Sequence, residues 1–143
     1  MQDLVQFSSD NWILVSGFIA SGLAVIFYEL KLKAQGISSV STSMAVQLIN
    51  GGFRVVDVRE SEKYASGHII DADNIPEAEL LEKPDKISKL KKGALLVCDH
   101  GSQSGACAAK LRKQGIEKVF SLKGGLHAWR QENLPVVSED GDK

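Results

Sequence analysis

Residues 95–106, Leu-Leu-Val-Cys-Asp-His-Gly-Ser-Gln-Ser-Gly-Ala, join an apolar strand to a helix through a short turn that contains Gly101. Cys98 follows the strand directly, and the spacing predicts a helix that begins six residues later, at Ser104. In sheets whose strands alternate with helices, ligands bind beyond the carboxyl ends of the strands. This stretch therefore predicts an α/β fold that carries Cys98 at its ligand-binding edge.

The turn after Cys98 presents backbone N–H groups and a helix N-terminus, both of which attract anions. The thiolate is the nucleophilic form of cysteine, and an ordinary thiol populates it only slightly at neutral pH. We expect the amides of residues 100–104 to stabilise a Cys98 thiolate. The alternative is a small apolar residue that closes a core strand, because free cysteine is among the most buried residue types.

Helical and extended segments alternate through residues 37–137, which we take as one domain. Ser41 marks a helix start, Gly51 a helix stop and Gly115 a helix C-cap, and Gly124 and Gly125 predict a tight strand-to-helix turn. The predicted helices span residues 41–50, 61–66, one or two segments within 77–92, 104–114 and 126–132. The predicted strands span residues 54–58, 73–75, 94–97 and 118–121. Residues 138–143 are expected to form a disordered tail.

Several motifs stand in the order and spacing of single-domain rhodaneses, and the chain resembles that family from about Ile37 to Pro135. These motifs are Val55-Val56-Asp57-Val58-Arg59, Tyr64, Gly67-His68-Ile69-Ile70, Ala72, Asn74-Ile75-Pro76 and Leu122-Lys123-Gly124-Gly125-Leu126-His127-Ala128-Trp129. The resemblance implies a rhodanese-like three-layer domain with a mostly parallel five-stranded sheet. It also implies that Cys98 takes a sulfane sulfur from a small donor, holds it as a persulfide and passes it to cyanide or another thiol, without a cofactor.

The same resemblance implies the residues that surround the catalytic Cys98. The loop expected to cradle the substrate consists of Asp99, His100, Gly101, Ser102, Gln103 and Ser104. Asp57 and Arg59 close a strand and are expected to act as structural supports of this loop. His68 follows a glycine and is expected to fix a turn.

The loop departs from the usual family pattern, Cys-Arg-x-Gly-x-Arg, at both arginine positions. Gly101 is kept, whereas Asp99 and Gln103 stand where the arginines are expected. An acidic neighbour at about 6 Å favours the neutral thiol and repels a dianion by on the order of 2–3 kcal/mol before screening. We therefore expect slow turnover of thiosulfate and a better fit to a less charged donor or to a protein persulfide.

Two functions remain open at this point. The first is a membrane-anchored sulfurtransferase that uses Cys98 as its nucleophile. The second is a catalytically weak or inactive rhodanese-fold binding module that interacts with another membrane protein. Phosphatases of related architecture place an arginine six residues after the cysteine, where this chain has Ser104, so phosphate-ester chemistry lacks its clamp.

Composition limits the other functional classes. The chain has 143 residues and a net charge of −1, which allows one compact domain with an appendage and gives no indication of nucleic-acid binding. Cys98 and Cys107 lie nine residues apart without a Cys-x-x-Cys pair or clustered histidines, so neither a disulfide framework nor a metal site is predicted. Cys107 falls on the helix after the loop and is expected to be a core residue.

The appendage is N-terminal, with a tail at residues 1–10, a transmembrane helix at 11–30 and a tether at 31–36. No residue from Asn11 to Tyr28 is charged, and this length crosses a bilayer with help from its flanks. Gly17 and Ser21 form a small-xxx-small pair, which permits weak self-association of two such helices.

The charges that flank this apolar segment predict its orientation. Asp3 and Asp10 precede it, whereas Lys31 and Lys33 follow it. A signal peptide would carry basic residues before the apolar run, so an uncleaved anchor is favoured. The positive-inside rule then places the N-terminus outside and the domain in the cytoplasm, as in a single-pass protein of the bacterial inner membrane.

Overall fold

The computed structural model describes residues 1–36 and 38–139. The chain divides into two compact units, Met1–Ala34 and Gln35–Lys143. Residues 140–143, which make up most of the predicted disordered tail, lie outside the described residues.

The N-terminal unit consists of helices, α1 (Gln2–Asp10) and α2 (Trp12–Gly36). Residues Trp12–Lys31 of α2 are long and apolar enough to cross a membrane, judged by length and composition. Helix α1 forms within the predicted tail, and α2 continues through the segment predicted as a tether. The continuation has a local cause, because residues 31–35 are Lys, Leu, Lys, Ala and Gln, all good helix formers.

The second unit is built on a five-stranded sheet in which all strands run parallel, with the order β1-β6-β5-β2-β4. Its strands are β1 (Ser39–Val40), β2 (Arg54–Asp57), β4 (Asp73–Asn74), β5 (Ala94–Val97) and β6 (Val119–Leu122). A separate antiparallel pair joins β3 (His68–Ile69) to β7 (Val136–Val137). The predicted α/β fold with a five-stranded parallel sheet is confirmed, although the sequence did not locate β1, β3 or β7.

Helices connect these strands and cover the sheet. They are α3 (Thr42–Asn50), α4 (Ser61–Ser66), α5 (Glu77–Glu82), α6 (Asp85–Ser88), α7 (Ser102–Lys113) and α8 (Gly125–Gln131). Ser41 caps α3, since its hydroxyl accepts a hydrogen bond from the amide of Met44 at 3.3 Å. Helix α7 begins at Ser102, two residues earlier than predicted, because Gly101 adopts the left-handed conformation at φ +92° and closes the turn there.

The period-two alternation of strand β5 decides which way Cys98 points. Leu95 and Val97 belong to the core cluster that contains Trp129 of α8. Leu96 and Cys98 belong to the cluster on the other face, which contains residues of α5, α6 and α7. Alternate residues of an extended chain face opposite sides of the sheet. Cys98 is therefore directed beneath the first turn of α7.

Candidate active site

Three loops meet at the carboxyl edge of the sheet, around the end of β5. Because β2 and β6 are the two neighbours of β5 in a parallel sheet, the segments that follow all three strands emerge side by side. The β5 loop carries Cys98, the segment after β2 carries Arg59, and the segment after β6 carries Gly124 and Gly125. This arrangement brings the three segments together at the candidate site.

Cys98 lies at the floor of its loop with 2% of its surface exposed. The amides of Gly101 and Ser104 donate hydrogen bonds to its Sγ at 3.0 and 3.3 Å. The thiol in turn donates to the hydroxyl of Ser104 at 3.3 Å, and that hydroxyl donates to the Gly101 carbonyl. Two of the five amides predicted to form the cradle therefore reach the sulfur, and both favour a negative charge on it.

The turn after β6 supports the Cys98 loop from below. The amide of Leu126 donates to the Cys98 carbonyl at 2.8 Å, and the amide of His127 donates to the Asp99 carbonyl at 3.0 Å. Gly125 has φ +59°, and a Cβ placed on it would lie 2.4 Å from the Cys98 carbonyl oxygen. The predicted tight turn thus has a second role, since only a glycine allows α8 to approach the loop this closely.

Asp57 and Arg59 form a buried ion pair beside the loop, with 1% and 4% of their surfaces exposed. The Nε and Nη2 atoms of Arg59 donate to the Asp57 carboxylate at 2.9 and 2.7 Å, and Nη2 also donates to the Gly67 carbonyl. The Asn74 amide group donates to the backbone carbonyls of Asp57 and Arg59. These contacts fasten the guanidinium in one position.

Asp99 is paired with two cations, which changes the expectation drawn from the sequence. Its carboxylate accepts hydrogen bonds from Arg59 Nη1 at 3.0 Å and from Lys63 Nζ at 3.1 Å. Partial burial opposes ionisation, but the bonds from Lys63 and Arg59 outweigh it and hold the pKa of Asp99 below its ordinary value. The expected repulsion of 2–3 kcal/mol assumed an unpaired acid, so it overstates the effect of Asp99 on the loop.

Gln103 does not face the cysteine. Its side chain is exposed at the start of α7 and donates to the Glu77 carboxylate at 3.1 Å. The other oxygen of Glu77 lies 3.5 Å from Lys110 Nζ. The neutral amide of Gln103 and the carboxylate of Glu77 therefore occupy the rim of the loop at this position. Ser102, the residue before Gln103, is exposed.

Comparison with known proteins places the domain in a family. The family model of the Rhodanese-like domain matches residues 41–132, which is more than half of the chain. The chain belongs to the rhodanese-like family. A Buchnera aphidicola protein (from Acyrthosiphon pisum), named Uncharacterized protein BU052, is 31% identical over 143 residues, which cover 98% of this chain and 99% of the relative.

Two further comparisons concern the rhodanese-like domain itself. The Thiosulfate sulfurtransferase GlpE of Pseudomonas entomophila is 38% identical over 94 residues, which cover 64% of this chain and 83% of that enzyme. The crystal structure of a rhodanese-related protein from Thermoplasma volcanium superimposes with a TM-score of 0.62 at 32% identity, covering 69% of this chain and 96% of that one. The relatives of the rhodanese-like domain thus include a named sulfurtransferase.

The histidines of the rhodanese-like domain have different surroundings. His68 is 7% exposed, its Nδ1 lies 2.8 Å from the Tyr64 carbonyl, and its ring stacks on the Tyr64 ring at 3.7 Å. These contacts tie α4 to β3 and lie outside the Cys98 loop. His100 is exposed within the loop, and its ring centroid lies 5.4 Å from that of His127.

Cys107, the other cysteine of the rhodanese-like domain, lies on α7 outside the loop. It is fully buried in the core cluster between α7 and the sheet, as the sequence predicted. Burial raises the pKa of its thiol to about 12, with a smaller contribution from Glu77. At neutral pH it is therefore protonated and unreactive. No group of three or more His, Cys, Asp or Glu side chains suited to a metal ion occurs among residues 1–36 and 38–139.

Two contacts of the site were missed by the sequence reasoning. These are the bridge from Arg59 to Asp99 and the packing of Gly125 against the loop. Both contacts follow from the sheet, because the strands on either side of the Cys98 strand run parallel to it and their loops emerge at the same edge. Predicting these contacts requires the order of the strands in the sheet, and the periodicity of the sequence does not give that order.

Proposed function

We propose that this protein is a membrane-anchored sulfurtransferase that carries sulfane sulfur as a persulfide on Cys98. The observation that carries the proposal is the pair of amide hydrogen bonds from Gly101 and Ser104 to Sγ. Such donors are preorganised for a charge on sulfur and need no rearrangement when it appears. The similarity to a protein named as a thiosulfate sulfurtransferase supports the same class of reaction.

The proposed reaction has two displacement steps at sulfur. The Cys98 thiolate attacks the transferable sulfur of the donor, and a new S–S bond forms. The donor's own bond to that sulfur breaks, and its electron pair leaves on the second product. For thiosulfate and glutathione persulfide an S–S bond breaks and the product is sulfite or the glutathione thiolate, whereas for mercaptopyruvate a C–S bond breaks and the product is the enolate of pyruvate. Cyanide or a thiolate then attacks the terminal persulfide sulfur. The Cys98–sulfur bond breaks, and the electron pair returns to Cys98 as a thiolate.

The residues around Cys98 have distinct roles in this scheme. The amides of Gly101 and Ser104 donate to the Cys98 sulfur and stabilise the negative charge that it carries when it attacks the donor and when it is released by the acceptor. The Asp57–Arg59 pair acts through Asp99 as a positioning element for the loop backbone. The low exposure of Cys98 limits contact between water and the persulfide.

The rim of the loop supports a preference among donors. Gln103 contributes a neutral donor that is already bonded to Glu77, so no guanidinium from this position meets a dianion. Asp99 is neutralised by Arg59 and Lys63, which leaves the loop close to electrically balanced. We therefore propose that a less charged donor or a protein persulfide is used in preference to thiosulfate.

Helix α2 supports the membrane part of the proposal. We propose that it is an uncleaved single-pass anchor, with the rhodanese-like domain on the cytoplasmic side, where the Cys98 thiol stays reduced. Recovery of the intact N-terminus in the membrane fraction after alkaline extraction is the expected result. Release of the protein into the soluble fraction, or a cleaved N-terminus, contradicts the anchor.

The activity is tested on the full chain in detergent micelles. Thiosulfate, mercaptopyruvate and glutathione persulfide are each offered with cyanide as the acceptor, and thiocyanate is measured. We expect slow turnover that is lost in Cys98→Ala and retained in Cys107→Ala, which removes the buried thiol instead. Equal thiocyanate with and without Cys98, or none with any donor, excludes the enzyme and leaves the binding module as the function.

A further inference from the structure

Two imidazoles stand together beside the Cys98 loop, although 26 residues separate them in the sequence. His100 lies in the loop, two residues after Cys98, and His127 lies in the first turn of α8. Both side chains are exposed. Their ring centroids are 5.4 Å apart, with 53° between the ring planes.

The backbones that carry these rings are fixed to each other. His127 donates its amide hydrogen to the carbonyl of Asp99, the residue that precedes His100, at 3.0 Å. The adjoining bond from Leu126 to the Cys98 carbonyl and the close approach of Gly125 hold the same two segments in contact. The proximity of the two segments that carry the rings is therefore built into the fold, since it depends on backbone hydrogen bonds.

No hydrogen bond or ion pair joins the imidazole of His100 or His127 to any part of the chain that the structure describes. His68 differs, because its Nδ1 bonds the Tyr64 carbonyl and its ring is buried. Of the three histidines in the chain, the two at the loop are those whose rings are exposed and whose nitrogens are accessible to a ligand.

The spacing of the rings matches that of two histidines on one tetrahedral metal ion. A zinc–nitrogen bond is about 2.0–2.1 Å, so the ring centroid lies about 3.2 Å from the ion, and an angle of about 109° puts two such centroids about 5.2 Å apart. The observed separation is 5.4 Å. We propose that His100 and His127 form a two-histidine site for a divalent transition metal ion such as Zn²⁺, with water completing its coordination.

The chemistry of the donor set selects the class of ion. Neutral imidazole suits Zn²⁺, Cu²⁺ and Ni²⁺, whereas Mg²⁺ and Ca²⁺ require oxygen ligands. The site has two protein ligands, and no larger group of metal-binding side chains occurs in the described part of the chain. Binding is therefore reversible and does not supply a structural metal. The ion bridges the loop and α8.

The position of the site gives it a regulatory consequence, which rests on the proposed sulfurtransferase function. An ion held by both rings ties the Cys98 loop to α8 and restricts the movement of the loop. Bound metal should then slow transfer of sulfur to and from Cys98. The binding itself does not depend on that function, so the two parts are measured separately.

Binding is tested by calorimetric titration of the untagged full chain in detergent micelles with Zn²⁺ and, as a control ion, Mg²⁺. We expect one Zn²⁺ per chain and no binding of Mg²⁺. His100→Gln and His127→Gln should each weaken Zn²⁺ binding about tenfold or more, because each removes the second arm of a chelate. The double variant, which keeps neither ligand, should bind Zn²⁺ more weakly than either single variant. Far-UV circular dichroism checks that the variants fold as the wild type does.

Two controls make the test decisive. Cys98→Ala must still bind Zn²⁺, since loss of binding there would assign the ion to the thiolate rather than to the histidines. His68 is the one histidine that remains in the double variant. Undiminished Zn²⁺ binding by the double variant would therefore overturn the proposal, and the two rings would then be an aromatic contact alone. Absence of Zn²⁺ binding by the wild type overturns it as well.

The regulatory part has its own readout in the alkylation of Cys98, which is followed with and without Zn²⁺. Zn²⁺ should slow alkylation in the wild type and leave it unchanged in His127→Gln. This measurement holds whether or not any donor yields thiocyanate. Equal alkylation rates with and without bound Zn²⁺ would overturn the regulatory part.

Discussion

Replacing Gly125 with alanine should loosen the loop that carries Cys98. The added Cβ would lie 2.4 Å from the Cys98 carbonyl oxygen and 2.7 Å from that of Asp99. Both atoms are backbone, so no side chain can rotate away to relieve the contact. Gly125 also has φ +59°, a left-handed conformation that alanine adopts only with strain.

The size of the effect follows from these contacts. A left-handed backbone costs an L-residue about 1–2 kcal/mol. Relieving the close contacts stretches the bonds from Leu126 to Cys98 and from His127 to Asp99, and each such bond contributes about 0.5–1.5 kcal/mol. The whole substitution should lower the free energy of unfolding by about 2–5 kcal/mol.

Gly115→Ala is the matched control. Gly115 has φ +95°, and its added Cβ would meet no atom within 4 Å, so only the conformational strain remains. Its expected cost is about 1–2 kcal/mol. For a domain of this size 1 kcal/mol corresponds to about 4–8 °C in melting temperature, so Gly125→Ala should melt at least about 4 °C below the control.

Cys107 provides the assay, because it is fully buried and its raised pKa keeps it protonated in the folded domain. Its alkylation therefore reports the unfolding of this unit and is insensitive to helix α2. The labelled fraction of the Cys107 peptide is measured by mass spectrometry as the full chain is heated. Equal midpoints for Gly125→Ala and Gly115→Ala would refute the role assigned to the β6–α8 turn.

Three further predictions concern the charges around the loop. Arg59→Met leaves the buried Asp57 carboxylate unpaired and should cost about 3–5 kcal/mol in urea denaturation, and a loss below about 1 kcal/mol would contradict the buried pair. Lys63→Met removes an exposed partner of Asp99 and should cost under about 1 kcal/mol at pH 7. The pKa of Asp99 is lowered in the folded state, so the difference in free energy of unfolding between the wild type and Lys63→Met is present above the unfolded-state pKa of Asp99 and disappears as the pH falls through its folded-state pKa. A difference that grows on acidification would contradict the Lys63–Asp99 pair. Gln103→Arg should raise kcat/KM for thiosulfate a few-fold, and more in a Glu77→Gln background, since Glu77 otherwise pairs with the new guanidinium. Unchanged rates in both backgrounds would remove the electrostatic explanation of donor choice.

The parts of the fold that the sequence predicted are those with local causes. Strand β5 is a run of four apolar residues, and α3 begins at a serine cap and ends before two glycines, so both were located from short-range signals. Strands β1, β3 and β7 have two residues each, and each forms through a distant partner. Ser39, for example, pairs with Ser121. A strand of two residues is told from a loop only where a local signal marks it, as Pro76 does just after β4.

The candidate site divides in the same way. The link between Cys98 and the amides of its own loop is local, and the sequence predicted the loop, although the structure narrows the amides to those of Gly101 and Ser104. Asp99 pairs with Arg59, which follows a neighbouring strand, and this contact weakens the expected effect of the acid. Charges in a loop can therefore be judged only after the strand order is known.

The balance of charge around the loop bears directly on the proposed chemistry. Asp57 and Asp99 together face Arg59 and Lys63, so two negative charges are offset by two positive ones. A site balanced in this way provides little net field for holding a thiolate or attracting a dianion. Stabilisation of the sulfur then depends on the amides of Gly101 and Ser104. The left-handed conformation of Gly101, just before α7, directs these N–H groups toward Cys98. Under the proposed function, the geometry of one glycine turn contributes what the two family arginines would otherwise supply.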